Sequence, residues 1–249
     1  MKIIPLSEGT FTVDATKQFL PFDAAVDQLS DRSPGSLLVE IQPFALITEK
    51  DVLVLDTGLG YTMPDGTLQM HHNLAQAGIN PLDVTKVLIS HLHKDHAGAI
   101  ARFDTQLQQQ FLTFPNATYI VNRQEMEIAV SRLSSSYDHR LVDALINSSQ
   151  LQLVESEGII DDYIRYQWTG AHSPWHQVFW IEENGTTVFF GGDVAPQLVQ
   201  MKTRFVTKYD FDGKRASELR AAWWLQGQQE GWTFLFYHDI KSPVFKAGS

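Results

Sequence analysis

The sequence predicts a layered fold that mixes helices with short strands, and three observations predict it. Short apolar runs recur along the chain, each bounded by Gly, Asp, Asn or Pro. Segments with apolar residues at helical spacing lie between some of these runs. Several runs end in polar clusters, VLISHLHKDH, VLVLDTGLG and VFFGGDVAP, and layered α/β architectures gather ligand-binding groups at such strand ends.

In chain order, strands are predicted over 36–41, 44–47 and 52–55, a helix over 68–77, a strand over 84–89, a helix over 97–107 and a strand over 118–121. A helix over 123–133, strands over 177–181 and 187–190, a helix over 216–229 and a strand over 233–237 complete the pattern. The strand runs are short and rich in β-branched and aromatic residues, whereas the helical segments carry apolar residues three and four apart. The stretch 131–150 joins SSSYDHR to LVDALINSSQ and reads equally as a helical excursion over the site or as a loop. With no repeat and no long linker, a single domain over 1–249 is expected.

Composition removes several function classes. With 43% hydrophobic residues in 249, the chain can bury a sizeable core. A net charge of −10, with no block of like charge, disfavours nucleic acid as a partner. No apolar run approaches the roughly 18 residues of a membrane helix. The opening MKIIPLSEGTFTVD places acid and turn residues where a leader would stay apolar, so a soluble, cytoplasmic protein is expected. With no cysteine, any metal must be held by His, Asp and Glu.

Three histidines fall within His91-Leu92-His93-Lys94-Asp95-His96, just after a predicted strand. Three imidazoles and a carboxylate so close together have no use in an apolar core, and imidazole nitrogen with carboxylate oxygen suits a divalent ion. Six residues cannot complete two coordination shells, so further donors are sought at other strand ends: His176, Asp193 and His238. His91, His93 and His176 would form one site and Asp95, His96 and His238 a second, with the two oxygens of Asp193 between them. Paired metals share a hydroxide formed near neutral pH and polarise a carbonyl or phosphoryl oxygen, which is hydrolytic machinery. His71, His72 and His139 read as structural.

HLHKDH, preceded by VLDTG and followed by HSPWH, GGD and a late YHD, resembles the metallo-β-lactamase superfamily of dinuclear metal hydrolases, in order from about Val52 to Asp239. The resemblance implies an αββα sandwich, two mixed β-sheets packed face to face with helices on the outer faces, and a site at one edge. It places His91, His93, Asp95, His96, His176, Asp193 and His238 on the metal-ligand positions. Asp56 falls on an acid that orients a ligand imidazole, and His172 on a loop near the metals, as a hydrogen-bonding neighbour or as packing. Trp175 and Tyr237 stand where the family commonly has glycine before a ligand histidine, so they are expected to narrow the pocket or wall it.

Within the family, glutamate replaces the residue matching His93 in flavo-diiron enzymes, and lactamases with a cysteine ligand are excluded by composition. The layout is similar to the lactonase and organophosphate-hydrolase branch, although Pro196 stands where acyl-homoserine lactonases carry a tyrosine. The expected activity is hydrolysis of an ester, lactone or related electrophile in a small-molecule substrate, by hydroxide held between two divalent metals and without a covalent intermediate. Asp95 and Asp193 are the expected catalytic proton handlers. Zinc suits the nitrogen and oxygen donors best, and manganese or iron would accept most of them. The alternatives are a non-catalytic metal-binding relative and a β-lactamase-type hydrolase; a homodimer is expected by analogy alone.

Overall fold

The computed structural model describes residues 1–248. The chain runs β1 (Lys2–Pro5), β2 (Gly9–Val13), β3 (Phe19–Pro21), β4 (Leu37–Ile41), β5 (Phe44–Ile47), β6 (Val52–Leu55), α1 (Gln69–Gln76), β7 (Lys86–Leu88), α2 (Lys94–Ala97), β8 (Ala101–Asp104), β9 (Gln109–Leu112) and β10 (Thr118–Asn122). It continues through α3 (Arg123–Val130), α4 (His139–Ile146), β11 (Leu151–Val154), β12 (Glu157–Ile160), β13 (Ile164–Trp168), β14 (Gln177–Glu183), β15 (Thr186–Phe190), α5 (Leu198–Met201), α6 (Gly213–Glu230), β16 (Thr233–Leu235) and β17 (Val244–Lys246).

Two six-stranded sheets result, in the orders β1-β5-β6-β7-β10-β11 and β12-β13-β14-β15-β16-β17. Both are mixed: β5 and β6 are antiparallel while β6, β7 and β10 are parallel, and β13 to β15 are antiparallel while β15 and β16 are parallel. Side chains alternate across each strand, and both faces are apolar. Phe44, Leu46, Leu53, Leu55 and Leu88 of the first sheet share a core with Phe179, Ile181, Val188, Phe190 and Leu235 of the second. The intervening residues Ala45, Val54, Val87, Tyr119 and Val121 face outward and pack with Leu74 of α1, Met126 of α3 and Leu145 of α4. On the far side Trp180, Phe189 and Phe234 are covered by Ala216 and Trp223 of α6. Doubly buried sheets with helices outside make an αββα sandwich. Among the described residues no helix is long and apolar enough to cross a membrane.

The expected helix over 97–107 is a correction: only α2 is helical, and β8 and β9 form a hairpin. A Cβ at Gly98 would lie 2.3 Å from the Leu59 carbonyl, so backbone-to-backbone packing occupies this point and the helix stops. Asp104 Oδ1 then accepts the N–H groups of Gln106 and Leu107, closing a turn. In the undecided stretch 131–150, α4 forms behind Asp138, whose side chain accepts the Arg140 N–H. Tyr137, just before it, is buried and bridges to His93.

Candidate metal centre

The first sheet supplies one half of the site. After β7 the chain enters Ser90 to His96, and after β6 it turns at Asp56, which has a left-handed φ of +53° and is fully buried. Asp56 Oδ1 accepts the Ser90 N–H at 2.7 Å, and Oδ2 accepts both the Ser90 hydroxyl and His96 Nδ1–H at 2.7 Å. The Ser90 oxygen in turn lies 3.0 Å from His91 Nδ1. One buried carboxylate thus fixes the orientation of two imidazoles, directly or through a hydroxyl.

The second sheet supplies the other half. His172 lies in the β13–β14 connection, Asp193 follows β15, and His238 leaves the sheet after β16. His172 Nδ1 donates to Asp210 Oδ1 at 3.0 Å, and His238 Nδ1 donates to the Glu40 carbonyl at 2.7 Å. Gly192 brings Asp193 in: its φ is +48°, and a Cβ there would meet His176 Nε2 at 2.6 Å.

Two groups of donors face each other across Asp193. His91 Nε2 lies 2.9 Å from His93 Nδ1, which lies 3.3 Å from His172 Nε2. His96 Nε2 and His238 Nε2 lie 3.5 and 3.6 Å from Asp95 Oδ2. Asp193 Oδ2 is 3.1 Å from His172 Nε2, while its Oδ1 is 3.1 Å from His96 Nε2 and 2.9 Å from His238 Nε2. These distances suit seven donors drawn toward common points. A divalent cation fits the set on two counts. The outer ring nitrogens of His91, His96, His172 and His238 have partners, so inner nitrogens can offer lone pairs. His96 Nε2 and Asp193 Oδ1 are buried and face each other at 3.1 Å without a well-formed hydrogen bond, an arrangement that a cation held between them would relieve.

The electrostatics agree. Burial pushes the Asp193 carboxyl up, but the imidazoles of His96, His238 and His172 outweigh it and hold it well below the carboxylate range. Burial pushes His96 down, but Asp193 and Asp95 lift it well above the histidine range. His91 and His93 are held well below that range, chiefly by burial and then by neighbouring imidazoles. Protons and metal would compete for the same inner nitrogens.

Two expectations exchange places. His176, expected as a donor, lies outside the convergent groups: its Nε2 accepts the Asp193 N–H at 3.1 Å and Thr169 Oγ1 sits 3.4 Å from its Nδ1. It buttresses Asp193 from behind. His172, expected as a hydrogen-bonding neighbour, stands in the donor group with His91 and His93. HSPWH offers two histidines four residues apart, and only the path of the β13–β14 connection decides which one points inward. Trp175 packs on Trp168 with ring centroids 5.4 Å apart, and Tyr237 stacks 4.0 Å from the His96 ring and donates to the Asp95 carbonyl. Neither lines the cleft over the donors, contrary to the expectation that they narrow it.

That cleft is about 750 Å³, and His93, Asp95, His172, Asp193 and His238 line it. Two residues near it carried no sequence signal. Glu125 looks like an ordinary acid in a first helical turn. It is fully buried and accepts the Leu92 N–H, the Ser173 hydroxyl and the Tyr137 hydroxyl at 3.0, 3.0 and 3.2 Å, tying the loops of both halves together. Lys17 crosses the cleft mouth from the N-terminal strands to donate to Ser136 Oγ at 2.8 Å.

An αββα sandwich with a histidine and carboxylate cluster at its strand ends defines a metal-dependent class of protein. Residues 39–233 match the profile of the metallo-beta-lactamase superfamily, and the chain belongs to that superfamily. It is similar to the N-acyl homoserine lactonase AiiA of Bacillus thuringiensis subsp. kurstaki, 25% identical over 170 residues that cover 60% of this chain and 62% of that one. The match thus spans less than two thirds of that relative. A second lactonase, AttM of Agrobacterium fabrum, is 34% identical over 111 residues, 41% of this chain and 37% of that one. Among solved structures, a probable metal-dependent hydrolase from Staphylococcus aureus superposes with a TM-score of 0.77 at 21% identity, covering 98% of this chain and 91% of that one. The dizinc quorum-quenching lactonase AidC, in complex with a product, superposes with a TM-score of 0.71 at 17% identity, covering 97% and 88%. At these identities the likeness establishes the fold.

Proposed function

We propose that this chain is a metal-dependent hydrolase that cleaves an ester, lactone or related electrophile. His91, His93 and His172 would hold one divalent cation, Asp95, His96 and His238 a second, and Asp193 would contribute an oxygen to each. Zinc suits this donor set, and manganese or iron would enter it with different affinity. The observation that carries the reading is the convergence of seven inward-facing donors, four of whose imidazoles are fixed from behind, on the floor of an open cleft.

When bound, such cations lower the pKa of water and polarise the oxygen of a scissile carbonyl. The protein's own part is positional. Asp56, Asp210 and the Glu40 carbonyl hold His96, His172 and His238 in fixed orientations. His176 sets the Asp193 backbone, and the apolar cleft wall sheds water from a bound substrate. Asp95 lines the cleft, and its carboxylate would take a proton and pass it to a leaving oxygen. The lactone specificity of the similar proteins makes lactones the first substrates to test. Pro196, in the position matched to their tyrosine, offers no hydroxyl, so the substrate oxyanion must be met differently.

The test is metal analysis of the purified protein, followed by a screen of p-nitrophenyl esters, lactones and a phosphotriester with zinc or manganese. The expected result is metal near two per chain and turnover abolished in His93→Ala. Metal-dependent melting with no turnover on any substrate would favour a non-catalytic binding protein. Trp175 and Tyr237, expected to narrow the pocket, lie outside the cleft.

A further inference from the structure

The cleft has a second polar point away from the donors. Its walls include Val13, Phe19, Leu37, Leu38, Val199 and Phe205, a surface for an alkyl chain. At Arg32 and Ser36, which also line it, that wall is interrupted. Arg32 Nε and Ser36 Oγ are both buried and neither has a hydrogen-bond partner. The only hydrogen bond from the guanidinium runs from Nη2 to the Ser36 carbonyl, long at 3.4 Å, and among the described residues no carboxylate lies within ion-pair distance of it. Of the other charged groups at this end, Asp14 turns Oδ1 to the N–H and hydroxyl of Thr16, and Lys17 is bonded to Ser136. Arg32 and Ser36 are each part exposed along the cleft, and a guanidinium with no carboxylate partner next to a serine suits a planar anion.

The separation from the donors can be read along β4. Glu40, whose carbonyl holds His238, and Ser36 are four residues apart on an extended segment, which spans about 13 Å. With C–C bonds of about 1.5 Å at about 111°, an extended chain covers that distance in roughly ten bonds.

We propose that Arg32 and Ser36 bind a carboxylate at the far end of the substrate, so that the preferred substrate is an ω-carboxy acyl ester or lactone of medium chain length, with its scissile carbonyl at the donor cluster. The inference rests on the hydrolase reading above and adds the class of acyl group.

The test compares mono-p-nitrophenyl undecanedioate with p-nitrophenyl undecanoate on the metal-loaded protein, alongside calorimetric binding of undecanedioate and undecanoate. The expected result is at least a tenfold preference in kcat/KM, carried mainly by KM, and a similar preference in Kd for the dicarboxylate. Arg32→Gln brings both ratios close to one, Arg32→Lys retains part of the preference because it keeps charge but loses the planar fork, and Ser36→Ala lowers it by less. Melting curves of each variant confirm folding. Ratios near one in the unmodified protein, or ratios that survive Arg32→Gln, overturn the assignment while leaving the hydrolase reading intact. If neither ester is turned over, the hydrolase reading fails for esters and the binding ratio alone decides: a preference lost in Arg32→Gln supports the carboxylate site, and equal binding overturns it.

Discussion

Asp56 has no contact with the cleft, yet it controls two inward-facing imidazoles. Asp56→Asn keeps the shape but loses one acceptor oxygen for Ser90 or His96. Metal affinity is expected to fall about 10- to 100-fold, as read by competition with a chelator. His172→Ala and His176→Ala separate the two histidines of HSPWH. The first removes an inward-facing donor and is expected to cost about one bound metal per chain. The second is expected to keep the metal content and to lower stability by about 1–3 kcal/mol, because the part-buried Asp193 N–H loses its acceptor. The HLHKDH cluster was legible because its residue types have no other use at that density. His172 was not, because its role depends on a loop path that local spacing does not encode. Glu8 supplies a pH test: burial pushes its carboxyl up to about 7, opposed only by the Leu59 N–H. An unfolded chain releases this proton at ordinary glutamate pH while the folded one keeps it, so stability present at low pH is lost as pH rises to about 7. The loss is about 3 kcal/mol. Urea unfolding between pH 5 and 8 should show this slope, and Glu8→Gln should flatten it.

At the scale of elements, α6 joins the outer layer to the site. Its buried face carries Ala216, Arg220, Trp223 and Gly227, which recur at helical spacing. Arg220 donates from Nη1 to the Val194 carbonyl at 2.8 Å and from Nη2 to the Phe205 carbonyl, so a buried cation braces the turn just after Asp193. Arg220→Met leaves both carbonyls without this donor. Denaturant midpoints should report a loss of about 2–5 kcal/mol, and metal affinity should fall with it. The sequence revealed α6 and the central strands because their apolar periodicity is strong. It missed edge strands such as β12, half exposed with Gly158 inside, and it read the β8–β9 hairpin as helix. That error came from weighing apolar spacing above the Gly98 contact, which exists only after folding.

On the scale of the whole molecule, the order of motifs carried the sandwich architecture, and the alternation of core residues supplies its physical cause. Aromatic packing around Trp180, Phe189, Trp223 and Trp232 holds the outer helix to the second sheet, with Phe189 4.9 Å from Trp223. Trp223→Ala is expected to cost about 3–5 kcal/mol in equilibrium unfolding.

His91, His93, Asp95 and His96 hang from the first sheet, whereas His172, Asp193 and His238 hang from the second. Cation capture would therefore be a report on assembly. On the proposed reading, a nascent polypeptide with only its leading half organised would own an incomplete claw and grip ions weakly, and docking of the trailing half would complete the grip. Each tenfold rise in free zinc above the dissociation constant should deepen the native basin by about 1.4 kcal/mol. Chelation should open the seam between the halves first, with deuterium uptake appearing at 90–96 and 191–194 before it reaches the strands behind them.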